Sequence, residues 1–172
     1  MQTEKKVKDI MTGIFDYPHI PYWFSISQSI RIIRVSFIST RKYIEPVVIL
    51  VFDEKYNLLG SLSLKEILKG LEPGLERPGG TAKTDEVPDL PQPNWEMLFS
   101  EEAAIRSERP VSEIMTPVSK FVEPGDSIKK AAYVLLYNEL FLLPVLEDGK
   151  KLVGLVRMID IFDALSKDMV KE

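Results

Sequence analysis

Two short stretches place charged and hydroxyl side chains where a strand should give way to a helix. In Gly154-Leu155-Val156-Arg157-Met158-Ile159-Asp160 a guanidinium and a carboxylate stand one helical turn apart, and in Gly60-Ser61-Leu62-Ser63-Leu64-Lys65-Glu66 a hydroxyl precedes an acid by the same interval. Arginine is a planar, bidentate donor suited to phosphate, yet the same spacing lets it pair with Asp160 instead. Ser63 and Glu66 form the S-x-x-E pattern of a capping box, in which hydroxyl and acid satisfy N–H groups at a helix start. Covalent catalysis finds no support. The chain has one histidine, His19, no cysteine, and no Gly-rich loop ahead of a Lys-Ser/Thr pair, so nothing brings nucleophile and base together. The expectation is a binding protein, not an enzyme, with His19 in a surface or packing role.

The elements that must hold these stretches occur twice. Val7-Lys8-Asp9-Ile10-Met11-Thr12 returns as Val111-Ser112-Glu113-Ile114-Met115-Thr116, with four of six residues identical. Ser29-Ile30, ahead of Ile32, Ile33, Val35, Phe37 and Ile38, aligns with Ser127-Ile128, ahead of Ala131, Ala132, Val134, Leu135 and Leu136. Leu58-Leu59-Gly60 aligns with Leu152-Val153-Gly154. Three anchors in one order define a repeat. The chain divides into a first repeat (1–71), a Pro-rich linker with a short helix (72–110) and a second repeat (111–172), together one module.

Within the first repeat, residues 7–12 read as a helical turn that packs against the counterpart repeat. Gly13 to Trp23, rich in Phe15, Tyr17, Tyr22 and Trp23 and broken by Pro18 and Pro21, reads as a loop about six residues longer than its partner. Its aromatics suit either an apolar seam between subunits or stacking on a purine. A helix starting at Ser27 or Ser29 should carry Ile30, Ile33, Phe37 and Ile38 on one face, with Arg31, Arg34, Arg41 and Lys42 outward. Val47 to Phe52 is a continuous β-branched and aromatic run, as expected of a strand buried on both faces. Asp53–Asn57 turns the chain into a strand over 58–62, and a helix capped by Ser63 stops at Gly70. The second repeat gives a helix from Asp126 or Ser127 to about Asn138, strands over 142–146 and 152–156 joined by a tight turn at Glu147–Lys150, and a last helix with Ile159, Ile161, Phe162 and Leu165 apolar. The fold class is α+β, a βαββα pattern used twice.

Residues 71–110 contain six of the twelve prolines, Pro73, Pro78, Pro88, Pro91, Pro93 and Pro110, and cannot sustain a long helix or strand. One island stands out. Asn94 can cap a short helix from Trp95 to about Arg106, which must dock on something because it is too short to be stable alone.

These motifs resemble a CBS domain pair. The resemblance rests on the two Ile-Met-Thr openings, the Leu142-Leu143-Pro144-Val145 strand, the Glu147-Asp148-Gly149 turn, the Leu152-Val153-Gly154 strand and the Ile159-Asp160-Ile161 helix, and it covers roughly 7–71 and 111–166. It implies two CBS-type repeats packed as a pseudo-twofold pair, with the Pro-rich arm inserted between them, and two clefts that in such families hold adenine nucleotides. The family pattern after the last strand is Gly, two residues, Ser or Thr, two residues, Asp: hydroxyl and helix start face phosphate, and the Asp accepts from the ribose hydroxyls. The second copy replaces the hydroxyl residue with Arg157 and keeps Asp160; the first keeps Ser63 and lengthens the acid to Glu66. Thr116, Pro117, Val118, Leu142 and Pro144 complete the ligand-binding set that the resemblance implies. For Leu142 ordinary core packing is the competing reading. Counterparts in the first copy fall near Gly13 and Ile44 to Leu50.

Composition bounds the partners. At 172 residues, 45% hydrophobic and 28% charged, the chain can bury a real core. Its net charge of -4 disfavours nucleic acid. The absence of cysteine suits a reducing compartment, and no apolar run reaches membrane-spanning length, so a cytoplasmic protein without a membrane partner is expected. The resulting expectation is a stand-alone regulatory module that binds AMP, ADP, ATP or a similar adenosine-containing ligand, requires no cofactor or metal, and signals to an effector protein in trans. The alternative is a ligand-free interaction or dimerisation module. A homodimer is expected through the helices that begin and end each copy, with Ile67, Ile161 and Phe162 exposed for the purpose.

Overall fold

The computed structural model describes residues 5–40, 45–72 and 101–170. The elements are β1 (His19–Pro21), α1 (Ile26–Ile33), β2 (Val48–Phe52), β3 (Leu58–Ser63), α2 (Leu64–Leu71), α3 (Glu101–Ser107), β4 (Thr116–Pro117), α4 (Ile128–Tyr137), β5 (Leu142–Glu147), β6 (Lys151–Arg157) and α5 (Met158–Met169). Short 3-10 turns occupy Val7–Asp9, Ile14–Asp16 and Val111–Glu113.

The first sheet has the order β1-β2-β3-β4, and its last strand comes from the second repeat: Thr116 pairs with Ser61 and Pro117 with Gly60. Around β5-β6 the same order is completed by single-residue bridges. Val122 lies parallel to Val145, as Ile20 does to Val51, and Thr12 lies antiparallel to Leu155. Each repeat therefore lends its opening segment to the other repeat's sheet edge. Packing follows the same exchange, since Val111 is buried with Ile26, Ile33 and β2, while Val7 is buried with Val122, Ile128 and Leu135. The expectation that residues 7–12 pack against the counterpart repeat holds.

Two glycines allow the exchange. A Cβ on Gly60 would lie 2.5 Å from the Thr116 carbonyl oxygen, and one on Gly154 would lie 2.7 Å from Met11 Sδ and 3.1 Å from the Thr12 carbonyl oxygen. The Leu-x-Gly motif found in both copies is thus the point where one repeat's backbone crosses the other's strand.

Several expectations need correction. Helix α1 is capped by Ser25, not Ser27 or Ser29: the Ser25 hydroxyl accepts from Gln28 N–H at 3.1 Å, and the Gln28 side chain accepts from Ser25 N–H at 2.8 Å. Ser29 is buried instead, its hydroxyl donating to the Ile26 carbonyl at 2.7 Å, at the place where α4 buries Ala131. Ser25, rather than Ser29, is therefore the counterpart of Ser127, which caps α4 by accepting from Lys130 N–H. The extra length of the first copy lies mainly after this helix, which widens into a π-helical turn over Arg34–Ile38 and buries Phe37. The 13–23 loop contains a strand, β1, held parallel to β2. Gly70 does not stop α2. It lies inside the helix, where a Cβ would come within 2.9 Å of Ile114 Cγ2 and 3.2 Å of Ile26 Cδ1. Strand β2 is buried along its whole length and the hairpin turn is as expected, with Asp148 and Gly149 both at positive φ.

Of the linker helix, Glu101–Ser107 forms α3, which packs on α1 and α2; the proposed start at Asn94 and Trp95 lies outside the described residues. Arg106 Nε donates to the Leu71 carbonyl at 2.5 Å, capping the end of α2, and its guanidinium meets Glu72 at 3.5 Å. Among the described residues no helix is long and apolar enough to cross a membrane.

Candidate functional site

The exchange of opening segments creates two clefts related by the pseudo-twofold axis. In the first, of 510 Å³, Lys5, Asp9 and Ile10 face Asp160, Asp163, Ala164 and Lys167. In the second, of 300 Å³, Arg109, Glu113, Ile114 and Thr116 face Glu66, Lys69 and Gly70. Asp9 and Glu113, Ile10 and Ile114, and Asp160 and Glu66 occupy matching positions. Each cleft therefore has one wall from each repeat.

At the first cleft, β6 ends and α5 begins at Arg157. The Asp160 carboxylate accepts from Arg157 N–H at 2.8 Å, from Nε at 2.9 Å and from Nη2 at 2.5 Å. Of the two roles open to Arg157, the structure shows the pairing with Asp160. Both side chains are largely shielded from water, so the contact is stronger than an exposed ion pair. The guanidinium also faces the buried Tyr17 hydroxyl, which donates to the Glu45 carbonyl at 3.3 Å. Asp160 above all, and then Tyr17, hold Arg157 far above its ordinary pKa against the opposing effect of burial. Burial raises the Tyr17 pKa, and the neighbouring guanidinium draws it part of the way back.

At the second cleft, Ser63 caps α2. Its hydroxyl accepts from Lys65 N–H at 3.2 Å, and Glu66 Oε2 accepts from Ser63 N–H at 2.8 Å and from the Ser63 hydroxyl. Arg109 and Glu113 close the opposite wall at 2.5 Å. The capping reading of Ser63 and Glu66 is what the geometry shows.

Of the implied ligand set, Asp160 lines the first cleft and Glu66 and Thr116 line the second. Thr116, Pro117 and Val118 lie along β3 of the other repeat, with Val118 N–H donating to the Leu59 carbonyl at 3.0 Å. They belong with Ser63 and Glu66, not with Arg157 and Asp160. Arg157 faces Tyr17 instead, and Thr12 crosses β6 two residues before it, its N–H donating to the Leu155 carbonyl at 2.8 Å. Leu142 is opposite Arg157 in the β5-β6 ladder and packs on the first core, as the packing reading has it; Pro144 is opposite Leu155 and buried. The sequence offered Tyr17 only among the loop aromatics suited to a seam or to purine stacking, and did not mark Asp9 as a site neighbour. The matched Ile-Met-Thr openings carried the clue, but only the crossing of the repeats turns it into a position.

Chemically, each cleft offers carboxylates at a helix start and flanking cations, an arrangement that can accept from hydroxyls and neutralise an anion. Asp160 keeps unused lone pairs beyond its three donors. Among the described residues no group of histidine, aspartate and glutamate is arranged to hold a metal ion.

The dimer expectation also needs adjustment. Ile67 and Ile161 are buried in the two cores, whereas Phe162 is 66% exposed together with Ile159 and Leu165 on α5 and Leu136 and Tyr137 on α4.

Residues 111–167 match the family model described as the CBS domain. No curated protein sequence matches the chain. Among solved structures it is similar to CBSX2 from Arabidopsis thaliana, at 19% identity and a TM-score of 0.66 over 99% of this chain and 100% of that one; CBSX2 has also been solved in complex with AMP. It is similar to the CBS domain pair of MJ0100 in complex with 5'-methylthioadenosine and S-adenosyl-L-methionine, at 17% identity and 0.61 over 96% and 99%. The cytosolic domain of the Mg2+ channel MgtE in complex with ATP matches at 20% identity and 0.60, over 94% of this chain and 49% of that one. At these identities the likeness establishes the fold: the chain is built as a CBS pair.

Proposed function

We propose that this chain, folded as a CBS domain pair, is a regulatory module that binds an adenosine-containing ligand such as AMP, ADP or ATP in a cleft between its repeats and passes the change to an effector protein in trans. The observation that carries the reading is the cleft at Asp160, which has one wall from each repeat. A ligand there touches both, so its binding energy biases their relative placement, which a partner can read. Adenosine compounds bound to CBSX2, MJ0100 and MgtE support the ligand class. Asp160 would accept from the ribose hydroxyls, and Arg157 would turn from Asp160 to the phosphate. Thr116, Pro117 and Val118 would play the corresponding part beside Ser63 and Glu66. The setting we propose is cytoplasmic and homodimeric, through the exposed apolar faces of α4 and α5.

Thermal shift against AMP, ADP, ATP and S-adenosylmethionine tests this. Saturating ligand at about a hundred times its Kd stabilises the folded state by about 2.7 kcal/mol. Asp160→Asn, which keeps an acceptor for the helix start, should abolish the response, and Arg157→Ala should reduce it for AMP more than for adenosine. A second reading is favoured by one observation: both motif acids are already engaged at their helix starts. If no adenine compound changes the melting temperature, the chain is a ligand-free interaction module.

A further inference from the structure

A third cleft, of 420 Å³, opens between the two hairpin turns, Asp53–Asn57 of the first repeat and Glu147–Lys150 of the second, away from Asp160 and Glu66. We propose that it is a separate binding site for a phosphorylated compound with a flat aromatic body. Its volume falls within the range of about 300–1,000 Å³ usual for small-molecule pockets. Phe52, Leu152 and Tyr56 provide the apolar surface, and Lys55, Lys150 and Lys151 bring cations from both repeats.

Three features point to this ligand. Among the described residues, none of these lysines forms an ion pair, although the chain as a whole is acidic. The carboxylates beside Lys55 accept from other donors and do not line the cleft. Asp53 accepts from Lys55 N–H at 2.9 Å and from Asn57 N–H and Nδ2 at 2.8 Å each, and Glu54 accepts from the Tyr22 hydroxyl at 2.8 Å. Glu147 and Asp148 stand exposed in the facing turn without lining the cleft. The three lysines line the cleft and these four carboxylates do not, and lysine serves phosphate as a point charge.

The second feature is the aromatic wall. Tyr56 holds a φ of 63°, a conformation uncommon for a bulky residue and natural to glycine, such as Gly149 in the facing turn. The strained residue sets its ring on Phe52, with centroids 4.4 Å apart and planes at 15°, and its hydroxyl is hydrogen-bonded to His19 Nδ1. Such a rigid ring stack is a surface on which a flat ligand packs. The third is the position across both turns, which lets one ligand join the repeats at a point remote from α5.

The test uses the full chain and backbone amide NMR, titrated with 1-naphthyl phosphate, inorganic phosphate and 1-naphthol. Naphthyl phosphate should produce saturable shifts at Lys55, Asn57, Lys150, Lys151 and Leu152, while each fragment alone binds at least about tenfold more weakly. The Lys150→Glu/Lys151→Glu variant should weaken binding by about tenfold or more with other amides unmoved, and Asp160→Asn should leave it unchanged. Absent shifts at these amides, shifts concentrated at Arg157 and Asp160, or inorganic phosphate binding as tightly as naphthyl phosphate would overturn the proposal. Because the adenosine cleft is tested by Asp160→Asn, failure of one site is distinguishable from failure of the other.

Discussion

A Cβ placed on Gly60 would stand 2.5 Å from the backbone carbonyl of Thr116, so the two repeats meet at a distance only glycine permits. Backbone cannot swing aside as a flexible side chain can. Gly60→Ala should therefore cost about 1–3 kcal/mol, as overpacking does, and chemical denaturation measures it. Gly154→Ala meets Met11 Sδ before backbone and should cost less. Equal losses would show that the close approach is not what limits Gly60.

The capping box at α2 leads to a second expectation. Glu66→Ala removes the acceptor from Ser63 N–H and should lower stability by about 1 kcal/mol, whereas Glu66→Gln, which still accepts, should retain most of it. If both variants lose the same amount, the charge and not the hydrogen bond matters.

Tyr17 gives the alkaline side of the stability profile. Its folded pKa is raised, chiefly by burial, so the neutral phenol favours the folded state. That contribution is complete below the unfolded value of about 10 and disappears as pH climbs through the higher folded value. Tyr17→Phe should flatten this alkaline limb in thermal melts recorded from pH 8 upward (about the range in which a phenol begins to titrate). An unchanged slope would mean the hydroxyl is already solvated.

Asp126 governs the acid side. Burial opposes its charge, but the Glu123 N–H at 2.8 Å and the Lys130 ammonium at 2.8 Å outweigh that and hold its pKa below the usual carboxylate range. Its contribution is present above the unfolded value of about 3.9 and fades as pH falls through the lower folded value. Asp126→Asn should lower stability at neutral pH and make the acid limb shallower, as read by urea midpoints.

For the proposed homodimer, Phe162→Glu should convert a dimer to monomer in sedimentation, because it sets a charge in the middle of the exposed apolar face. Ile161→Glu should instead unfold the second repeat, since Ile161 is core. A wild-type monomer at micromolar concentration would refute the dimer.

The sequence by itself determined the duplication, the α+β class, both hairpins and the cap at Ser63, because these depend on local chemistry: alternating or continuous apolar runs, turn residues, and hydroxyl-acid spacing that acts within a few residues. It misplaced the cap of α1, although Ser25 alone of the three serines has a Gln three residues on to complete a capping box, and Ser29 is buried where the second copy has Ala131. Only the tertiary structure decided which residues share a cleft. Thr116 joins Glu66, and Tyr17 joins Arg157, because each repeat's opening segment crosses to the other's sheet edge, and no local pattern encodes a partner so far along the chain. The same crossing turned Gly70 and Ile67 from a helix stop and an exposed contact into parts of a packed interior, where shape between distant segments, not sequence neighbours, sets what fits.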